Sequence, residues 1–277
     1  MHCSDRSLAP TLLTMADALL PNGISIAYDD LGPATGTPLV LVHGHPFDRT
    51  MWAPQLAALH DEFRVIAPDL RGYGGSTVAP GTTPFAAFAH DIEALLDRLG
   101  VHEFVLGGLS MGGQIAMECV RLFGERIVGL VLADTSPAAE TDEGRTWRRE
   151  LAERLLREGM KGYADEVLHR MVAPHSAPEV QEHVHRMMCA TDPEGAAAAL
   201  RGRAERPDYR SLLARFMAPA LVVVGAEDTY TPVDEARAMH AALPHATLRV
   251  IDGAAHLPNL ERPDDFNAAL RAFLSAR

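Results

Sequence analysis

The chain has 277 residues, 47% apolar and 22% charged, with a formal net charge of −12. This is an ordinary globular composition, long enough for one large α/β domain or two small ones. The acidic balance excludes the basic field that a nucleic-acid surface needs; it serves solubility first and leans toward an uncharged or cationic small substrate.

Asp5, Pro10, Asp17 and Pro21 interrupt the opening segment, so it lacks the apolar core of a secretory signal. No apolar run approaches the ~20 residues of a membrane span. Cys3, Cys119 and Cys189 are odd in number and spaced for neither a disulfide framework nor a zinc site. A reducing compartment follows most simply. The expectation is a cytoplasmic protein without membrane or nucleic-acid partners.

Short β-rich runs recur along the chain. "GISIAYDDLG" (23–32) alternates in polarity, as an antiparallel edge hairpin does. "PLVLVHG" (38–44), "FRVIAPD" (63–69), "EFVLGG" (103–108), "GLVLAD" (129–134), "ALVVVG" (220–225) and "TLRVID" (247–252) are nearly continuous in apolar residues. That pattern belongs to parallel strands covered by helices on both faces. Between them, 84–99, 111–123, 233–242 and 263–275 read as helices, three of them following or starting with proline. Alternating strand and helix predicts an α/β fold with a mostly parallel sheet.

One segment breaks the alternation. From 136 to 208 there is no good strand, only charged, Met-rich helical stretches punctuated by Pro174, Pro178, Pro193 and Pro207. The expected organisation is a core of 1–135 and 209–277 with a helical cap of 136–208. Trp147, Met160, Met171, Met187 and Met188 lie in that cap, more simply as helical core than as pocket lining.

Four stretches carry chemistry. "GLSMG" (108–112) follows a strand and opens a helix, the context of a G-x-S-x-G turn. Such a turn is too tight for side chains two residues before or after the serine, where Gly108 and Gly112 stand. It lifts the Ser110 hydroxyl out of the sheet and aims the Met111 N–H at the same spot, above a helix N-terminus. "HGHPFDRTMW" (43–52) follows an earlier strand, at the place that supplies a second N–H, assigned here to His45. His43 reads as packing behind that loop. Whether the His45 side chain also faces substrate is open. Asp228 follows the strand at 220–225, and His256 follows the run at 247–252 by a short loop. A serine hydroxyl needs an imidazole to take its proton, and the imidazole needs an acceptor to fix its tautomer. Asp134, in "LADTSP", is the alternative acid. Asp69 is expected to hold its own loop and Arg71 together. Phe47, Tyr230 and Leu257, with Met111, adjoin these loops and are the expected pocket residues.

With these pieces in place, the chain resembles the α/β-hydrolase fold family from about Asn22 to Phe273. The motifs "HGHPFDRTMW", "APDLRGYGGS", "GLSMGG", "GAEDTYTP" and "GAAHLPNLERP" carry the resemblance. Within the family it is similar to 3-oxoadipate enol-lactonases, small bacterial esterases and cofactor-free haloperoxidases. It departs at Gly253-Ala254-Ala255-His256, where relatives usually carry Gly-x-Gly-His. The resemblance implies a serine hydrolase of a small carboxylic ester or lactone, with Ser110, Asp228 and His256 catalytic, an oxyanion hole from His45 and Met111, and no metal or organic cofactor. A carbon–carbon bond hydrolase, a biosynthetic acyl-transfer or cyclising enzyme, and a non-hydrolytic ligand-binding homologue are the alternatives on the same fold.

Overall fold

A computed structural model describes residues 16–276; Cys3 and most of the opening segment lie outside them. Eight strands form one sheet: β1 (Ala16–Leu19), β2 (Ser25–Leu31), β3 (Leu39–Val42), β4 (Val65–Pro68), β5 (Phe104–Leu109), β6 (Ile127–Ala133), β7 (Ala220–Gly225) and β8 (Ala246–Ile251). Their order is β1-β2-β4-β3-β5-β6-β7-β8. β3 to β8 run parallel, and the β1–β2 hairpin joins antiparallel through β2 against β4.

The apolar runs behave as two-sided strands. Leu39 and Leu41 of β3 enter one hydrophobic cluster, while Val40 and Val42 enter another on the opposite face. β7 divides in the same way, with Leu221 and Val223 against Val222 and Val224. Successive side chains of a strand point to opposite faces, so both faces need cover. Helices α1 (Ala53–Leu59), α2 (Phe85–Arg98) and α3 (Met111–Phe123) follow β3, β4 and β5. Amphipathic α2 buries Phe88, Ile92 and Leu96 in the Val40 cluster, where α3 places Ile115 and Cys119.

"GISIAYDDLG" forms the inner strand of the expected antiparallel edge hairpin; its outer strand is β1, whose four residues are too short to stand out in sequence. One strand reading changes. β8 is the other edge, with Thr247, Arg249 and Val250 exposed, so it is not covered on both faces. Its apolar side chains reflect β-propensity.

Between β6 and β7 the described chain is helical: α4 (Asp142–Glu158), α5 (Lys161–Met171), α6 (Pro178–Ala190), α7 (Pro193–Ala204) and the single turn α8 (Arg210–Leu213). Thr141 and Asp192 cap α4 and α7 by accepting from Gly144 N–H and Glu194 N–H. α4 packs on α7 and α5 on α6. α7 comes unusually close to the sheet-side loops. A Cβ at Gly195 would lie 2.0 Å from Gly72 O, and one at Gly202 would lie 1.7 Å from Thr83 O. The Thr83 N–H also donates to Ala198 O at 3.0 Å. α9 (Val233–Ala242), α10 (Pro258–Glu261) and α11 (Pro263–Ser275) complete the chain. No helix of the described residues is long and apolar enough to cross a membrane.

Candidate active site

Parallel sheets collect functional loops at the carboxyl ends of their strands. Here the ends of β3, β5, β7 and β8 converge with the helices after β6 around a cavity of about 130 Å³ that opens to solvent. Its walls include Ser110, His256, His45, Tyr163, Tyr230 and Arg203.

Ser110 sits between β5 and α3 with φ 55° and ψ −117°. A non-glycine residue held there is strained and must be fixed by its surroundings. The Ser110 N–H donates to Ala133 O at 2.9 Å, and Thr135 Oγ1 donates to Ser110 O at 2.7 Å. The flanking glycines are steric necessities. A Cβ at Gly108 would meet Gly112 O at 2.2 Å, and one at Gly112 would meet Val42 O at 2.2 Å. β3, the turn and α3 are thus packed backbone to backbone.

The loop after β3 lies beside this turn: a Cβ on Gly44 would be 3.3 Å from Ser110 Cβ. His43 pins the loop from behind. Its Nδ1–H donates to Gly44 O, and its Nε2 accepts the Leu70 N–H, both at 2.9 Å. Burial lowers the pKa of this imidazole and keeps it neutral. Neither the Met111 nor the His45 N–H has a hydrogen-bond acceptor among the described residues. The His45 ring is 5% exposed, with Nδ1 2.7 Å from Tyr73 Oη and Nε2 buried without a partner. Burial, then the charges of Arg203 and Arg148, push its pKa well below 6.5.

Asp228 and His256 meet across the β7 and β8 loops. His256 Nδ1 lies 2.8 Å from Asp228 Oδ2, and both side chains are buried. A carboxylate only accepts, so the proton is on Nδ1 and the lone pair is on Nε2. The Tyr230 and Thr231 N–H groups donate to Asp228 Oδ1 at 2.7 and 3.2 Å, and Thr231 Oγ1 donates to Oδ2. Burial alone would raise the Asp228 pKa; the His256 charge and these hydrogen bonds outweigh it and hold the carboxyl below 3.8. No hydrogen bond joins Ser110 Oγ to His256, whose Nδ1 is engaged by Asp228.

Asp134 lies beside the pair and plays a different part. It has φ 44°, its Oδ1 accepts the Gly225 N–H at 2.9 Å, and its Oδ2 is unpartnered. Burial first, then the Asp228 charge, raise its pKa well above the usual range. The imidazole is held by Asp228, not Asp134. Ligand atoms of Asp134, Asp228 and His256 lie within 4.8 Å of one another, spacing that a metal ion would accept. Ligation through His256 Nδ1 would break its bond to Asp228.

Of the expected pocket residues, Tyr230 lines the cavity, its ring 5.1 Å from that of His256 and under the Arg170 guanidinium at 3.9 Å. Phe47 and Leu257 do not line it; both are fully buried in the core, because their loops turn those side chains inward. Met111 is likewise core and does not line the cavity. Trp147 and Met171 reach the cavity, whereas Met160, Met187 and Met188 pack in the core. Asp69 holds Arg49 and the Gly75 N–H instead of Arg71, which pairs with Asp91.

Two features escaped the sequence reading. Glu261 joins the histidine loop to the segment after α5. Its Oε1 accepts the Ala255 N–H at 2.9 Å, and its Oε2 accepts the Ala173 N–H at 2.7 Å. Arg148 and Arg203 also line the cavity. Arg203 stands three residues after buried Leu200, on the same helical face, a spacing that could have marked it.

The alpha/beta hydrolase fold family model matches residues 37–263. 3-Oxoadipate enol-lactonase 2 of Acinetobacter baylyi is 30% identical, over 93% of this chain and 96% of its own. A thermophilic esterase from Thermogutta terrifontis, solved with malate bound, superposes with a TM-score of 0.91 at 41% identity, covering 95% of this chain and 98% of that one. The enol-lactonase from Burkholderia xenovorans LB400 gives 0.85 at 29% identity, over 94% and 100%.

Proposed function

The chain belongs to the α/β-hydrolase fold family and is a hydrolase, and within that family we propose a serine hydrolase of a small carboxylic ester or lactone. The observation that carries this is the buried 2.8 Å Asp228–His256 contact opening on the same cavity as the strained Ser110. His256 Nε2 takes the Ser110 proton as Oγ attacks the carbonyl carbon. The negative charge moves to the carbonyl oxygen, where the Met111 and His45 N–H groups receive it; loss of one such donor typically costs about 10²–10³ in kcat. The imidazolium, held by Asp228, returns the proton to the departing alkoxide. Water then repeats the sequence on the acyl-enzyme. In a lactone the leaving group stays tethered to the acyl part.

The helices at 136–208 act as the cap in this reading, because Trp147, Arg148, Tyr163, Met171, Leu200 and Arg203 all come from them. The test is the initial rate on a panel of short esters, simple lactones and enol-lactones, with Ser110→Ala as control. Hydrolysis lost in the variant, with unchanged thermal stability, is the expected result. Turnover retained by Ser110→Ala refutes the assignment.

A further inference from the structure

The loop after β3 leaves one buried group unexplained. His45 stands on the cavity wall with Ser110 and is 5% exposed, and its Nε2 has no hydrogen-bond partner. Neither guanidinium of that wall, Arg148 or Arg203, reaches it. A buried polar atom without a partner is costly and calls for a reason. The other ring nitrogen says what that atom carries. Nδ1 lies 2.7 Å from Tyr73 Oη, and this is the one hydrogen bond of the Tyr73 hydroxyl among the described residues. Two neutral arrangements exist. With the proton on Nδ1, the imidazole would donate to Tyr73. The Tyr73 O–H, on a side chain 1% exposed, would then lack an acceptor, and Nε2 would be a lone pair without a donor. With the proton on Nε2, the Tyr73 O–H donates to Nδ1 and both are satisfied, so a single group is left over, Nε2–H. The second arrangement leaves fewer buried groups unmet. Burial keeps the Tyr73 hydroxyl protonated, and burial with the charges of Arg203 and Arg148 keeps the imidazole neutral.

We propose, resting on the hydrolase reading above, that the His45 side chain is a third donor to the oxyanion: its Nε2–H, fixed on that nitrogen by Tyr73, donates to the substrate carbonyl oxygen as charge develops there. A simple ester brings two oxygens beside Ser110. The alkoxy oxygen must face His256, which returns its proton, and the carbonyl oxygen is the one that remains. In the hydrolase reading that oxygen already meets the backbone N–H of the same residue. A neutral imidazole serves well in this place, because it stabilises the charge by a hydrogen bond and keeps its proton. The donor is also set before substrate arrives: His43 pins the loop from behind, and Tyr73 holds the ring. The Tyr73 bond by itself gives His45 only a structural role, anchoring its loop to the segment after β4. That account leaves Nε2 unfilled on the cavity wall.

The kinetic test uses 4-nitrophenyl acetate, butyrate and hexanoate on wild type, His45→Phe, His45→Gln, His45→Asn and Tyr73→Phe. His45→Phe keeps an aromatic ring and removes the donor. Its kcat should fall roughly ten- to a hundredfold on all three esters, with KM changing little, as expected for a lost bond to a charged oxygen. His45→Gln can place an N–H near the Nε2 position and should recover part of the loss; His45→Asn reaches only toward Tyr73 and should not. Tyr73→Phe breaks the same Tyr73–His45 bond but leaves the imidazole, so it should lose less than His45→Phe. Wild-type kcat in His45→Phe overturns the proposal. So does a loss in Tyr73→Phe as large as that in His45→Phe, or an Asn variant that recovers as much as Gln. Nitrogen NMR of the imidazole, assigned by its absence in His45→Phe, reads the proton directly. A protonated Nε2 and a bare Nδ1 are expected, and the reverse overturns the proposal. An alkyl trifluoromethyl ketone, captured by Ser110 as a tetrahedral adduct, should shift the Nε2 signal; an adduct that leaves it unmoved refutes the third donor. If neither turnover nor adduct appears, the hydrolase reading fails, and the spectrum of the free protein still tests the donor, because an Nε2 without a proton overturns it.

Discussion

Gly112→Ala tests the contact on which the site is built. A methyl at this position would lie 2.2 Å from Val42 O and 2.6 Å from His43 O. Non-bonded heavy atoms rest about 3.5 Å apart, so β3 and the start of α3 must separate by about 1 Å. Both clashing atoms are backbone, and no rotamer change relieves them. Overpacking of this kind costs ~1–3 kcal/mol, and the rigid partners place this case near the upper end. At roughly 2 °C per kcal/mol for a chain of this size, Tm should fall by about 5 °C. The rate should suffer more. The Met111 N–H stands on one side of the clash, and the loop bearing the His45 N–H stands on the other, so the gap between the two donors widens. A misplacement of about 1 Å costs on the order of 10²-fold. The expected result, from ester initial rates and thermal denaturation, is a hundredfold loss in kcat with KM changing far less. A variant with wild-type kcat and a Tm within about a degree of wild type would refute the argument.

Asp228→Asn should lower kcat by about 10⁴, because an amide in that place no longer fixes the proton on Nδ1. Asp134→Asn should cost far less, and ester kinetics in which Asp134→Asn is the more damaging change would reverse the assignment of the acid. Glu140 provides a pH test. Burial works against its ionisation, but the charges of Arg148 and Arg206 prevail and hold its pKa at about 2, below the ordinary 4.5. The folded value is the lower one, so the stabilisation is complete above about pH 5 and disappears as pH falls toward 2; it amounts to roughly 3 kcal/mol. Urea denaturation should therefore show wild type more stable than Glu140→Gln at neutral pH, with the gap closing on acidification. A gap independent of pH would mean that the ion pairs do not set it.

Much of this molecule is legible in one dimension. The parallel strands announce themselves because two-sided burial demands continuous apolar runs, as in "LVLV" and "ALVVVG". Met111–Phe123 and Pro263–Ser275 follow from amphipathic periodicity and the residues that open them. Ser110 was readable because a turn that tight leaves room only for glycine two residues away on either side, a purely local constraint. Asp228 and His256 were placed by their position after strands, since strand ends of one parallel sheet open on one edge.

What the sequence could not settle depends on contacts between distant segments. Asp134 and Asp228 follow β6 and β7, and only their packing against His256 separates the hydrogen-bonded acid from the one pushed toward neutrality. Phe47 and Leu257 border the catalytic loops in sequence, but loop curvature turns both into the core. Asp69 reaches Arg49, twenty residues away, instead of its neighbour Arg71. The acidic composition also misdirects, since net charge sums the whole surface. Arg148 and Arg203 come from different helices, and the α4–α7 contact carries both to the cavity wall. Local sterics and periodicity are written residue by residue. The charge that a substrate meets is set by which helices pack together, and that the fold alone decides.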